Sequence, residues 1–226
     1  MSKLVNFGIF NTDKVFIIAE AGVNHNGSLS NARKLIDMAK RCGADAIKFQ
    51  KKNVTHSQTE IKTCETGKQK NLVEQDTFQE FSQEKFKELQ KYAQKKGIIF
   101  CASAWDEESA DFLVDIGIPF LKIGSHDLTN FPLLEHVSKK NLPIVISTGM
   151  AYLDTVKEAY EILSMNNPCI AILQCTSCYP TQNQDTNLQV IRTYQKEFNK
   201  CIIGYSGHEE GLVASLGAVA LGAKII

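Results

Sequence analysis

Two lysines stand where packing alone would not put them: Lys122 inside the apolar run Phe120–Ile123, and Lys48 inside Ala46–Gln50. Under the two-residue period of a strand, Leu121 and Ile123 share one face and Lys122 points the other way. Apolar residues on both sides predict that Lys122 is at least partly buried, and a buried ammonium is costly unless an anion meets it. Lys48 shares its face with Gln50, opposite Ile47 and Phe49. The same placement recurs along the chain. Strand ends carry Glu20, then Lys48 and Gln50, then Ser103, then Lys122, Ser125 and Asp127. Ser147 and Thr148 follow, then Cys175, Thr176 and Ser177, and last Ser206 and His208. Two lysines and several hydroxyls at one mouth suit a small, highly charged anion, a phosphate or a carboxylate. The carboxylates of Glu20 and Asp127 suit proton transfer or the orientation of a polar substrate. One serine at a strand end is more often a turn or cap residue. Two lysines in equivalent places shift the odds to function.

The other reactive side chains carry less. Ser206 and His208 are two apart and can face one cavity, although on spacing alone a loop hydrogen bond explains His208 equally well. His25, His126 and His136 read as loop or surface residues, and His56 falls in a long polar segment. Cys175 and Cys178 have the spacing of a metal or redox pair, but no second pair completes a zinc site. They read as plain reduced cysteines. Tyr179-Pro180 reads as a stiff loop entering the site.

These residues need a scaffold that gathers strand ends. Strands are predicted at 15–20, 46–50, 98–103, 120–123, 143–147, 169–174 and 201–206. Helices are predicted from Ser28 or Ser30 to Cys42, then at 83–96, 107–116, 131–140, 153–165, 188–198 and 210–221. Glycines at 43, 97, 117 and 222 supply stop signals. Residues 223–226 read as the start of an eighth strand. Such alternation gives a parallel sheet, and eight units in about 250 residues give a closed barrel. The fold class is therefore α/β, a (β/α)8 TIM-type barrel truncated within the eighth unit, one domain over 1–226. An open doubly wound sheet is the rival, but it lacks the G-x-G-x-x-G fingerprint. The segment from Lys51 to about Glu80 exceeds ordinary loop length, as lids and binding loops do.

Composition sets bounds on partners and compartment. Of 226 residues, 43 % are hydrophobic and 22 % charged, with 25 basic and 25 acidic side chains. That balance gives no bulk charge for nucleic acid or a membrane surface. No apolar stretch could span a bilayer. Seven scattered cysteines suit reduced thiols in a cytoplasm better than a disulfide framework.

Six ordered motifs make the chain resemble the sialic acid synthase family. They are F-I-I-A-E-A-G-V-N-H-N-G (16–27), A-I-K-F-Q (46–50), L-K-I-G-S (121–125), S-T-G-M (147–150), C-T-S-C-Y-P-T (175–181) and G-Y-S-G-H (204–208). The closing G-A-V-A-L-G-A-K-I-I fits as well, so the likeness covers nearly all of the chain. It implies a cytoplasmic barrel enzyme that condenses phosphoenolpyruvate with an N-acylated amino sugar in its aldehyde form. The product is a nine-carbon 2-keto acid such as N-acetylneuraminate, with phosphate released. Manganese or magnesium would polarise the aldehyde, and water would attack phosphoenolpyruvate at C2. By the same resemblance Lys48, Ser103, Lys122, Ser125, Ser147 and Ser206 form the phosphoenolpyruvate pocket. Glu20, Gln50, Asp127 and Tyr179 serve the sugar or its protons, and His208 is a metal ligand.

The departures concern specificity and extent. Many members carry glutamate where Asp127 stands, asparagine where Ser177 stands and threonine where Ser103 stands. The first two point to a shifted sugar, of the diacetamido, legionaminate type, with Ser177 as a substrate contact. The family's second metal-binding histidine and its antifreeze-like cap domain, part of a domain-exchanged homodimer, are expected beyond Ile226. The chain alone is accordingly expected to turn over poorly. An incomplete barrel would expose the edges of its first and last strands and favour self-association. Two alternatives stand: a Schiff-base aldolase using Lys122, and a non-catalytic barrel that binds anions.

Overall fold

The structure, a computed structural model, describes residues 10, 14–53 and 80–226. The long segment after Lys51, with His56, lies almost wholly outside these residues. Seven strands and seven α-helices alternate among the described residues: β1 (Ile18–Gly22), α1 (Leu29–Arg41), β2 (Ala46–Lys51), α2 (Gln83–Lys96), β3 (Ile99–Ala104), α3 (Glu107–Asp115), β4 (Leu121–Ile123), α4 (Phe131–Ser138), β5 (Ile144–Ser147), α5 (Leu153–Ser164), β6 (Ile170–Cys175), α6 (Val190–Glu197), β7 (Ile202–Ser206) and α7 (Val213–Ala220). A 3₁₀ turn, Ser125–Asp127, follows β4.

The chain divides into two compact units, residues 19–118 and residues 1–18 with 119–226. In the first, β2 and β3 pair in parallel, with Lys48 opposite Cys101 and Gln50 opposite Ser103. Helices α1 and α2 cover this unit through apolar residues at helical spacing: Ala32, Ile36 and Ala39 on α1, Phe86, Leu89 and Ala93 on α2. Their ends follow local chemistry. Ser28 and Ser82 accept from the backbone N–H three residues on, and Gly97, at φ 68°, closes α2 in the left-handed conformation.

In the second unit β4, β5, β6 and β7 pair in parallel in sequence order. Strands β5 and β6 are buried along their whole length, as expected of a parallel sheet covered on both faces. The last residues of the chain lie between two partners. Tyr205 N–H donates to Ile225 O and Lys224 N–H to Ile203 O, each at 2.8 Å. On the other side Phe16 N–H donates to Lys224 O at 2.9 Å and Ile18 N–H to Ile226 O at 2.8 Å. The expectation of bare edges at the first and last strands is therefore corrected: three residues suffice to pair both. Exposed apolar side chains gather instead on and beside α7, at Leu212, Val213 and Leu216.

Candidate active site

The candidate residues fall into two sets, one in each unit. In the 19–118 unit, Lys48 points away from the buried Ile47 and Phe49, as the alternation requires. Its ammonium is ion-paired with Glu20 and donates to Ser103 Oγ at 3.1 Å. Ser103 is buried, whereas the Glu20 side chain is half exposed. Gly22, at φ +51°, brings the chain close beneath them: a Cβ there would lie 3.1 Å from Glu20 Oε1 and 3.7 Å from Gln50 Nε2. Glu20, Lys48, Gln50 and Ser103 thus form one cluster at the carboxyl ends of β1, β2 and β3.

His25 does not lie at the surface. It is 3 % exposed, stacks on Phe81 with ring centroids 4.2 Å apart, and accepts at Nδ1 from Gly27 N–H at 3.2 Å. Burial holds its pKa below the ordinary histidine value. His136 likewise is not in a loop; it is half-buried on α4.

In the other unit Lys122 is 4 % exposed. Its ammonium donates to Ile123 O at 2.7 Å and to Ser147 Oγ at 2.8 Å. Ser147 is buried at the end of β5, and accepting this bond leaves its own hydroxyl proton available as a donor. Ser125 accepts from Gly149 N–H at 2.9 Å. A Cβ on Gly149 would overlap Ser177 Oγ, so Ser125, Gly149 and Ser177 meet at one point. Asp127 is buried, with Oδ2 at 2.9 Å from His126 Nε2 but without hydrogen-bond alignment. His126 itself is exposed, as the sequence predicts.

The ends of β6 and β7 supply the remaining groups. Ser206 stands opposite Cys175 in the β6–β7 register. His208 has Nδ1 2.9 Å from Thr176 O and its ring 4.1 Å from that of Tyr179, which is largely exposed. A carbonyl acceptor requires the proton on Nδ1, so in the neutral ring Nε2 carries the lone pair. Burial alone would raise the Cys175 thiol. Hydrogen bonds with His208 and Ser125 and the charges of His208 and Lys122 outweigh it, and the pKa lies below the usual thiol value. Burial pushes Cys201, away from these groups, up to about 12. The six described cysteines are all free thiols. Beside the strand ends lies a cavity of about 550 Å³, with Thr148, Gln174, Thr176, Ser177 and Tyr194 among its lining residues and no charged side chain.

A family model described as the NeuB family matches residues 35–226. The chain belongs to the NeuB family. Human N-acetylneuraminate-9-phosphate synthase is 48 % identical over 216 residues, which cover 93 % of this chain and 60 % of that protein. The N,N'-diacetyllegionaminic acid synthase of Legionella pneumophila is 40 % identical, over 93 % of this chain and 62 % of its own length. Among solved structures, an N-acetylneuraminic acid synthetase from Leptospira borgpetersenii, in complex with citrate, superposes with a TM-score of 0.86 at 37 % identity. It is matched over 95 % of this chain and 72 % of that one. The barrel-type α/β class read from the sequence is the fold of these relatives. The chain spans about 60 % of the length of the curated relatives it matches.

Among the described residues of this NeuB chain, the metal expected at His208 finds no cluster of donors. Among the described residues no cluster of three His, Cys, Asp or Glu side chains could hold a metal ion. His208 has a thiol 3.9 Å away, Cys175 Sγ, and no carboxylate in that pairing. The described residues do not make a divalent-metal site. Sequence reasoning missed Gly149, Gly22 and the burial of His25. The signal for Gly149 lay within S-T-G-M, where a glycine follows two hydroxyl residues at a strand end.

Proposed function

We propose that this chain contributes the phosphoenolpyruvate-binding part of a sugar acid synthase. The enzyme condenses phosphoenolpyruvate with an N-acylated amino sugar to a nine-carbon 2-keto acid and phosphate. One observation carries the reading: a buried lysine, Lys122, donates to a buried serine whose own proton is thereby free to meet an anion. Its donations to Ile123 O and Ser147 Oγ hold the Lys122 nitrogen in a polar pocket where an anion can be met. Lys48 with Ser103 repeats the arrangement.

Lys122 balances charge on the phosphate or carboxylate, while Ser125, Ser147, Ser177 and Ser206 donate to its oxygens; Lys48 with Ser103 offers a like arrangement within the 19–118 unit. Glu20, held against Lys48, and the buried Asp127 handle protons or sugar hydroxyls. Gln50 and Tyr179 serve the sugar. The uncharged 550 Å³ cavity suits a neutral acylamino hexose, N-acetylmannosamine or a diacetamido sugar, better than a second phosphate. The relatives named N,N'-diacetyllegionaminic acid synthase and N-acetylneuraminic acid synthetase support these sugars, whereas the human N-acetylneuraminate-9-phosphate synthase is named for a phosphorylated product. Homodimer assembly and a cytoplasmic site of action belong to the same reading; no described helix is long and apolar enough to cross a membrane. Manganese or magnesium at His208 would need donors beyond the described residues, so no step is assigned to it.

Calorimetric titration of phosphoenolpyruvate, with and without manganese, tests the proposal. Lys122→Met keeps most of the apolar stem and removes the charge. Since a hydrogen bond to a charged group contributes about 1.5–3 kcal/mol, binding should weaken about 10- to 100-fold. Equal binding by wild type and variant would sink the assignment. Trapping of a keto substrate on Lys122 by borohydride would favour the aldolase instead.

A further inference from the structure

Glycine at 149 is not demanded by its backbone. Its φ lies outside the left-handed region, unlike that of Gly22 or Gly97, so any L-residue could adopt the same conformation. What glycine supplies is space. A Cβ would overlap Ser177 Oγ and stand 2.9 Å from Ser125 Oγ and 3.2 Å from Ser125 Cβ. Those two hydroxyls come from different strand ends, Ser125 after β4 and Ser177 after β6, and they converge on the backbone that leaves β5.

The hydrogen bonding gives the convergence a direction. Gly149 N–H donates to Ser125 Oγ at 2.9 Å, so one lone pair of Ser125 is occupied and its proton is turned away from Gly149. Ser147, two residues earlier, is polarised in the same sense by Lys122. Ser147 is set as a donor by a group that is not substrate, and Ser125, which also hydrogen-bonds the Cys175 sulfur, would turn from that sulfur to the anion.

We infer that Gly149 is a positioning residue. By lacking a side chain it lets Ser125 and Ser177 present their hydroxyls together to one anionic group, a carboxylate or phosphate. The inference rests on the phosphoenolpyruvate reading above and deepens it. A larger residue is accommodated when Ser177 swings its hydroxyl aside by rotating about χ1 and Ser125 gives way by a few tenths of an ångström. That rotation takes the donor out of the site, so an added methyl costs affinity rather than stability.

The experiment is a double-mutant cycle on the full chain, Gly149→Ala, Ser177→Ala and both together. Each is titrated with phosphoenolpyruvate by calorimetry and melted without ligand. Gly149→Ala is expected to bind about tenfold more weakly, the loss of one hydrogen bond to a charged group, while melting within a few degrees of wild type. Ser177→Ala is expected to lose a similar factor, and the double variant to lose little more than Ser177→Ala alone, because the crowded hydroxyl is already gone. A Gly149→Ala chain that binds like wild type overturns the inference, and so does one whose penalty is undiminished in the Ser177→Ala background. Failure of both Gly149 variants to fold would make Gly149 a packing residue and overturn it too. Wild-type protein that is folded but does not bind the ligand removes the phosphoenolpyruvate reading itself, a result distinct from the other three.

Discussion

At the scale of single residues, the clearest departure from ordinary behaviour is a histidine whose burial disfavours its charged form. His25 is buried against Phe81 and accepts a backbone N–H at Nδ1, so burial lowers its folded pKa below the 6.5 of an unfolded chain. Between the two values the unfolded state binds more protons than the folded one, so stability falls as pH falls through about 6.5 and levels off below the folded pKa. Urea midpoints at pH 7.5 and 5.5 should therefore differ, and His25→Phe, which keeps the ring stack, should shrink the difference. An undiminished difference would place its cause elsewhere. The contrast with Lys122 shows what a sequence reveals at this scale. A lysine in an apolar strand contradicts its neighbours, so its burial and its need for a partner can be read directly. A histidine in a loop contradicts nothing, and its burial depends on Phe81, far along the chain. The fit of Gly149 between Ser125 and Ser177 depends on three strand ends meeting, which no local pattern records.

At the scale of elements, most boundaries follow from caps and periodicity and lie within a residue or two of the predicted ones. Helix α2 starts and ends where Ser82 and Gly97 require. The looser cases are β1, which starts three residues late and ends two late, and α6 and α7, which start two or three residues late. Asn187 at φ 49° and Gly211 at φ 88° keep the preceding chain in turns, and neither a cap nor an apolar period marks those positions. Asp106 does more than cap. Its Oδ1 accepts from Ser109 N–H at 2.7 Å, while Oδ2 accepts from Asn53 N–H at 2.7 Å and Ser109 Oγ at 2.8 Å. It therefore fastens the start of α3 to the residues that follow β2. An N-cap substitution costs about 1 kcal/mol and a further hydrogen bond about as much. Asp106→Ala should then destabilise by about 2 kcal/mol in equilibrium unfolding, whereas Ser28→Ala, a cap with one bond, should cost about half of that. Equal losses would mean that the tie to Asn53 contributes nothing.

At the scale of the whole chain, the count of strand–helix units is readable from the sequence because each unit carries its own stop signal, whereas the pairing of the last residues is not. Residues 223–226 read as the start of a strand, but the partners they join, β7 on one side and Phe16 and Ile18 on the other, lie far apart in the sequence. Lys224, Ile225 and Ile226 nevertheless make five backbone hydrogen bonds, two with β7 and three with Phe16 and Ile18. Ile225 is fully buried, and Gly204 lets it approach: a Cβ at Gly204 would stand 2.5 Å from Ile225 O, a backbone atom that cannot swing away. Unpaired strand edges invite association, and loss of a buried isoleucine side chain costs about 2–5 kcal/mol. A chain ending at Ala223 should therefore unfold at lower denaturant and show concentration-dependent sedimentation, while Ile225→Ala, which keeps the backbone pairing, should be destabilised without associating. If the shortened chain instead sediments as the full one does and keeps its midpoint, the two-sided pairing of these residues is not what protects the edges, and the covering of β7 must be sought in its side chains.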